Sequence, residues 1–226
     1  MDEYIAHSKN DKGIYHYLKE HLEGTASLAK KYASRWNAGD MAYLLGMLHD
    51  MGKYSKSFQD YLLNNSSGVE HAIAGSIYLF QEDISNYNEI LSFVIAGHHA
   101  GLHNISDLKN NINNKKEKKF IKEGISNFKK NITIKGFKDF DLDISMNKTL
   151  EVEFLIRMLF STLVDADFLD TEKHFNLNKY HMRKKGEYNI KHLWKIIKKD
   201  QKELGTKAES TKLNKIRSNI YEAVIK

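Results

Sequence analysis

Two apolar segments of this chain end on imidazoles. LLGMLHDMGKYSKSFQDYL, residues 44–62, runs from a greasy stretch into His49-Asp50, and EILSFVIAGHH, residues 89–99, runs into His98-His99. A segment that is apolar nearly all round is a buried one. The polar tips it carries are then buried as well, and a buried carboxylate is costly unless it is paired or bound to a cation. The chain is therefore restricted to folds in which several segment ends meet and satisfy one another.

Helical spacing dominates the rest. The chain has no proline, so no helix is interrupted by one, which favours an all-α fold. Leu18, Leu22, Thr25, Ala29, Tyr32 and Trp36 recur at helical intervals within residues 16–36. Asn37-Ala38-Gly39 breaks that helix and Asp40 is placed to cap the next, over 41–50. Ser55 is placed to cap a short helix bearing Phe58, Tyr61 and Leu62, and the turn NNSSG (64–68) leads to a helix from near His71. Residues 89–99 fit a buried strand or helix by pattern; helix is preferred because no neighbouring segment offers strand partners. Residues 101–114 read as a loop, 115–130 as a lysine-dense solvated helix, and 133–145 as irregular with room for a short hairpin. A long buried helix is expected over 149–170, and amphipathic helices near 189–204 and 210–225. The expectation is a compact all-α helical bundle, one domain over 1–226, with 205–226 a looser arm or the start of a linker.

With 41% hydrophobic and 28% charged residues, the balance is that of an ordinary globular protein rather than a disordered one. No apolar run is long enough to span a bilayer. The polar N-terminal stretch MDEYIAHSKNDKG is unlike a secretory signal, so a cytoplasmic location without membrane attachment is expected. There is no cysteine, so any metal must use imidazole and carboxylate ligands. The net charge of +6 suits a polyanionic partner, although scattered surface lysines explain it equally well.

The chemistry rests on the distribution of 11 histidines and a few acids. His49 lies one turn after the core residue Leu45, with Asp50 following directly. His98-His99 repeats the arrangement. His71 opens a helix after a polar turn, and His21 shares a helix face with Tyr17, Thr25 and Leu28. Asp165 and Asp167 interrupt an apolar helix. One buried histidine alone is more often a hydrogen-bonded core residue than a ligand, and an isolated His-Asp dipeptide is common by chance. The combination points to a nitrogen- and oxygen-rich site for one or two transition-metal ions. Two such ions about 3.5–4 Å apart clamp the attacking and leaving oxygens of a phosphodiester displacement.

At this point the residues resemble a known family. His49-Asp50, an upstream His21 and a later aspartate in an apolar helix resemble the HD metal-dependent phosphohydrolases. AHS at 6–8, LKEHLEGTA at 18–26, LLGMLHDMGKYSKSFQDYL at 44–62, EHA at 70–72, IAGHHAGL at 95–102 and LFSTLVDADFLDTE at 159–172 occur in that order. Together they are similar to the HD nuclease domain of the CRISPR-associated helicase–nucleases of type I systems, over most of residues 6–172. The resemblance implies a two-metal centre that cleaves single-stranded DNA. His21, His49, Asp50 and the helix aspartate would bind one ion, and Asp50, His71, His98 and His99 the other, with Asp50 bridging. Relatives often read Ala-Asp-aromatic at the helix aspartate, which favours Asp167 over Asp165; Asp165 would then orient a ligand. Asp50 and Lys53 would be the catalytic pair, Lys53 contacting phosphate or the leaving charge. His7, His16 and His103 are read as neighbours of the site.

The histidine-rich ligand set favours Mn²⁺, Co²⁺, Ni²⁺ or Fe²⁺, with Mg²⁺ still admitted. The implied partners are single-stranded DNA, an ATP-dependent helicase, fused or separate, and an RNA-guided surveillance complex. The final residues, KLNKIRSNIYEAVIK, resemble the segment that joins such nuclease domains to their helicase. No GxxxxGK phosphate loop occurs in the chain. Lysines in 115–130, 179–185 and 191–202 would guide the strand. The rival readings are an HD phosphohydrolase acting on a nucleotide or cyclic dinucleotide, and a binding module with a vestigial site.

Overall fold

The structure is a computed structural model that describes residues 3–64, 70–140, 142, 148–183 and 189–224. Its described residues are overwhelmingly helical, and the all-α expectation holds. They divide into two compact units, 1–182 and 183–226. In the first unit, α1 (Leu18–Ala33) buries Leu18, His21, Leu22, Thr25, Ala26, Ala29 and Ala33, a face that recurs every three or four residues. A single 3₁₀ turn, Ser34–Trp36, follows, and Asn37 takes a left-handed conformation that ends it. The next helix, α2 (Gly39–Leu48), is buried along almost its whole length. Asp40 lies in its first turn rather than at its cap, and its carboxylate accepts a hydrogen bond from Lys30 Nζ at 2.6 Å.

The α1–α2 contact is unusually close. A Cβ on Gly46 would fall on the backbone of Ala26, so only glycine lets α2 lie this near α1. That approach brings the end of α2, where His49 and Asp50 sit, beside His21. A 3₁₀ turn, Met51–Tyr54, leads through Ser55 into α3 (Lys56–Asn64), with the Phe58 N–H directed at the Ser55 hydroxyl, as the capping pattern requires. The NNSSG turn lies outside the described residues except for Asn64. Next come α4 (Ile73–Glu82) and α5 (Asn88–Gly97), both apolar and packed on each other; residues 89–97 are helical, as expected.

The sequence reading fails in two places beyond this point. The expected loop at 101–114 is instead α6 (Ile105–Lys115), held by Leu108 and Ile112, which lie one turn apart on its buried side. The lysine-rich segment forms α7 (Lys119–Asn131), and it is not merely solvated: Ile121, Ile125 and Phe128 are buried, with Phe128 meeting the rings of Tyr54 and Tyr78. The described residues of 133–145, namely 133–140 and 142, are irregular and hold no strand, and the other positions of the expected hairpin lie outside the described residues. The long α8 (Thr149–Phe175) sets Leu155, Leu159, Leu163, Ala166 and Leu169 against the core and leaves Leu150, Phe154 and Phe168 exposed. A short α9 (Leu177–Met182) closes this unit. Two very short antiparallel strands, β1 (Ile5–His7) and β2 (His16–Tyr17), pair just before α1. The second unit contains α10 (Ile190–Lys207) and α11 (Lys212–Val224), whose described residues are not buried. No described helix is long and apolar enough to cross a membrane.

Candidate metal centre

Asp50 is the hub. It follows the last turn of α2 and is almost wholly buried, with its two oxygens facing opposite ways. Oδ2 lies 3.3 Å from His21 Nε2 and 3.3 Å from His49 Nε2. Asp167 Oδ1, from α8, is 3.3 Å from His21 Nε2 and 3.6 Å from His49 Nε2. On the other side, Asp50 Oδ1 is 3.3 Å from His71 Nε2, 3.5 Å from His98 Nε2 and 3.9 Å from His99 Nε2. The structure thus gathers two groups that share Asp50: an inner one (His21, His49, Asp50, Asp167) and an outer one (Asp50, His71, His98, His99). Within each, the donor atoms all lie within 4.8 Å of one another.

Each fully buried imidazole has its other nitrogen committed. His49 Nδ1 is 2.8 Å from the Gly46 carbonyl and His98 Nδ1 is 2.6 Å from the Ile95 carbonyl, each three residues back at the end of its own helix. His21 Nδ1 is 2.9 Å from Asp170 Oδ2. Those acceptors fix the proton on Nδ1 and leave a lone pair on Nε2, the tautomer a metal ligand needs. The Nε2 atoms of His21, His49 and His98 and both oxygens of Asp50 are buried, and none makes a hydrogen bond of good geometry. Five buried polar atoms converging without such bonds would be expensive in a plain core, and a divalent cation in each group would satisfy them. The residues present therefore fit the metal: nitrogen and carboxylate donors, arranged in two sets about one shared carboxylate.

The electrostatics agree. Burial opposes the charge on Asp50, but Lys53, His49 and His21 more than offset it and hold the carboxyl well below the ordinary range. Burial likewise pushes His21 and His49 down. Asp167, Asp170 and Asp50 outweigh it at His21, holding it up to about 10, and Asp50 and Asp167 do so at His49, up to about 9. In the metal-free protein these two rings carry protons in place of cations. Burial, reinforced by His98, pushes His99 down to about 4.

Lys53 is not a solvated turn lysine. It is 4% exposed, with Nζ 2.7 Å from Asp50 Oδ2 and donating to the Ala6 carbonyl at 3.2 Å. Asp165 is exposed on α8 and belongs to neither group, so the orienting part assigned to it does not fit; Asp170, one turn beyond Asp167, touches His21 instead. Sequence reading missed Asp170. The signal was there in its spacing of three from Asp167, which puts both on one face of α8.

His7, His16 and His21 form a third cluster of nearby ring nitrogens. It is not a third ligand set of the same kind, because His21 Nδ1 is already bonded to Asp170. Burial pushes His7 down to about 2 and His16 to about 4, so both stand as neutral rings packed around His21. His103 lines a cavity of about 260 Å³ with His71, His99, Asn111 and Lys115, on the open side of the outer group.

Comparison with known proteins agrees with this geometry. Residues 18–125 match the HD domain family, a span that includes His21, His49, Asp50, Lys53, His71, His98 and His99 and stops short of Asp167. No curated protein matches the chain. That match supports the HD superfamily, and an HD domain with this cluster implies a metal-dependent phosphohydrolase.

Proposed function

With the HD domain as premise, we propose that the chain is a metal-dependent nuclease that hydrolyses phosphodiester bonds of single-stranded DNA in CRISPR interference, acting with a helicase. The carrying observation is the shared carboxylate: Asp50 stands between two ligand sets, the arrangement suited to an in-line displacement at phosphorus. The motif order around IAGHHAGL and LVDADFLDTE supports the narrower assignment.

Divalent cations held here supply Lewis acidity to the phosphoryl oxygens and acidify an attacking water. The chain's own residues do the rest. Asp50 fixes the spacing of the two ligand sets. His21, His49 and His98, held in place through Nδ1, would present Nε2 lone pairs with their rings already oriented, once His21 and His49 give up their Nε2 protons. Lys53 keeps Asp50 ionised from behind, and reaching a phosphate would require it to leave the Ala6 carbonyl. Lysines exposed along α10 add positive charge that favours a polyanion.

The test is a substrate panel with Mn²⁺, Co²⁺, Ni²⁺, Fe²⁺ and Mg²⁺ in turn, on single- and double-stranded DNA, RNA, nucleotides and cyclic dinucleotides. Cleavage of single strands, with small substrates left intact, is expected. Turnover of nucleotides or cyclic dinucleotides with strands untouched would overturn the reading in favour of the rival phosphohydrolase.

A further inference from the structure

We propose that Asp170 is the positioning residue of the inner ligand set, and that Gly24 is the cradle that admits it. The inference rests on the two-cation reading above but concerns a residue outside both sets. Asp170 sits on the buried face of α8 and is 5% exposed. Its Oδ2 accepts from His21 Nδ1 at 2.9 Å and lies 3.3 Å from His16 Nε2 on the other side. His16 is in turn stacked on His174, ring centres 4.6 Å apart and planes 12° apart. The carboxylate is therefore clamped between two imidazoles, one of which has its remaining nitrogen aimed at Asp50 and Asp167.

His49 and His98 take their orientation from carbonyls of their own helices. His21 cannot, because it lies in the first turn of α1, four positions into a helix that begins at Leu18. Carbonyls there are engaged by the amides that follow. A group from another element has to hold its Nδ1 proton, and α8 supplies it. The space for that group comes from Gly24, one turn along α1 from His21: a Cβ at 24 would fall on Asp170 Oδ1 and crowd the carboxyl carbon behind it. A helix interior disfavours glycine, so its presence where the carboxylate enters α1 marks the contact as built. Among the described residues, the contact that links Asp170 to the cation sites is the one to His21 Nδ1, so it acts through His21.

The experiment compares wild type, Asp170→Asn and Gly24→Ala in the full chain, with Mn²⁺ as the probe. Equilibrium dialysis with elemental analysis gives affinity and stoichiometry, and thermal melting of the metal-free protein gives stability. Asp170→Asn is expected to weaken one of two Mn²⁺ ions by about 10–100-fold, the usual cost of losing a partner of a metal-bound histidine, and to leave the other unchanged. Gly24→Ala is expected to weaken the same ion by pushing the carboxylate off His21, with a lower melting temperature of the metal-free protein and the other ion unchanged. Both ions bound as tightly as in wild type would overturn the inference. So would equal weakening of both ions along with a lower melting temperature, because Asp170 would then be packing only. If Asp170→Asn does not fold, Gly24→Ala decides. A wild type that takes up one ion breaks the two-cation reading separately, and Asp170 then stands or falls by whether that ion weakens.

Discussion

The two halves of the centre share Asp50 yet differ in almost everything else. The inner set is the more enclosed: His21 and His49 are fully buried, Asp167 joins it from α8 with its side chain 20% exposed, and Asp170 and the Gly46 carbonyl fix the rings. The outer set is open: its His98 is buried, but the side chains of His71 and His99 are 17% and 48% exposed beside the small cavity. Buried donors favour a firmly held ion, whereas exposed imidazoles leave room for substrate oxygens. Under the proposed function, the difference suits the inner half to anchoring and the outer half to substrate contact.

The change expected to do most damage removes what the halves share. Asp50→Ala should release both cations and drop strand cleavage by on the order of a thousandfold or more, since losing even one preorganised charge contact costs about 10²–10³ in rate. Circular dichroism should show the helices intact. Retention of activity with metals controlled would break the comparison at its hub.

Next come single-ligand changes that separate the halves. His49→Ala should lower retention of the inner ion by more than the 10–100-fold typical of an outer partner. His99→Ala should leave that ion in place and instead raise the KM for DNA. Equal loss of both ions from the two variants, measured by elemental analysis after dialysis, would show that the halves are one site.

Protonation offers a finer separation. In the metal-free protein His21 and His49 keep their protons to about pH 10 and 9, above the ordinary histidine value, whereas His99 is already neutral above about 4. Loading the inner set at pH 7.5 must therefore expel about two protons, and its affinity should rise with pH until those rings are neutral. Calorimetry in buffers of different ionisation enthalpy reads the proton count directly. No proton release would contradict the charged inner rings.

The smallest expected effect is on spacing. Gly46→Ala forces α2 away from Ala26 and moves the carbonyl that orients His49. Overpacking of this kind costs about 1–3 kcal/mol, and the inner ion should weaken while the outer one does not. A melting curve and a dialysis isotherm on the same sample check both halves of that statement.

Much of this was legible because burial and polarity collide in the sequence. His49-Asp50 and His98-His99 stand at the ends of apolar runs, where only convergence makes physical sense. What stayed hidden has equally physical reasons. Helix α6 buries just Leu108 and Ile112, too little apolar signal to outweigh its polar residues. In α7 the lysines masked Ile121, Ile125 and Phe128. The strands β1 and β2 are too short for a period of two to register. The preference for Asp167 over Asp165 came from the resemblance, but the part of Asp170 beside His21 needed the face of α8 that meets α1, which is a property of packing and not of spacing alone. Lys53 was singled out by its place after His49-Asp50, but that it is buried against Asp50 and the Ala6 carbonyl could be known only from the packing.

The central claim, two cations bridged by one carboxylate, is tested most directly by growing crystals with Mn²⁺ and collecting anomalous diffraction at the manganese edge. The account requires two peaks about 3.5–4 Å apart, one among His21, His49, Asp50 and Asp167, the other among Asp50, His71, His98 and His99. A lone peak away from Asp50, for instance between His7 and His16, would contradict it.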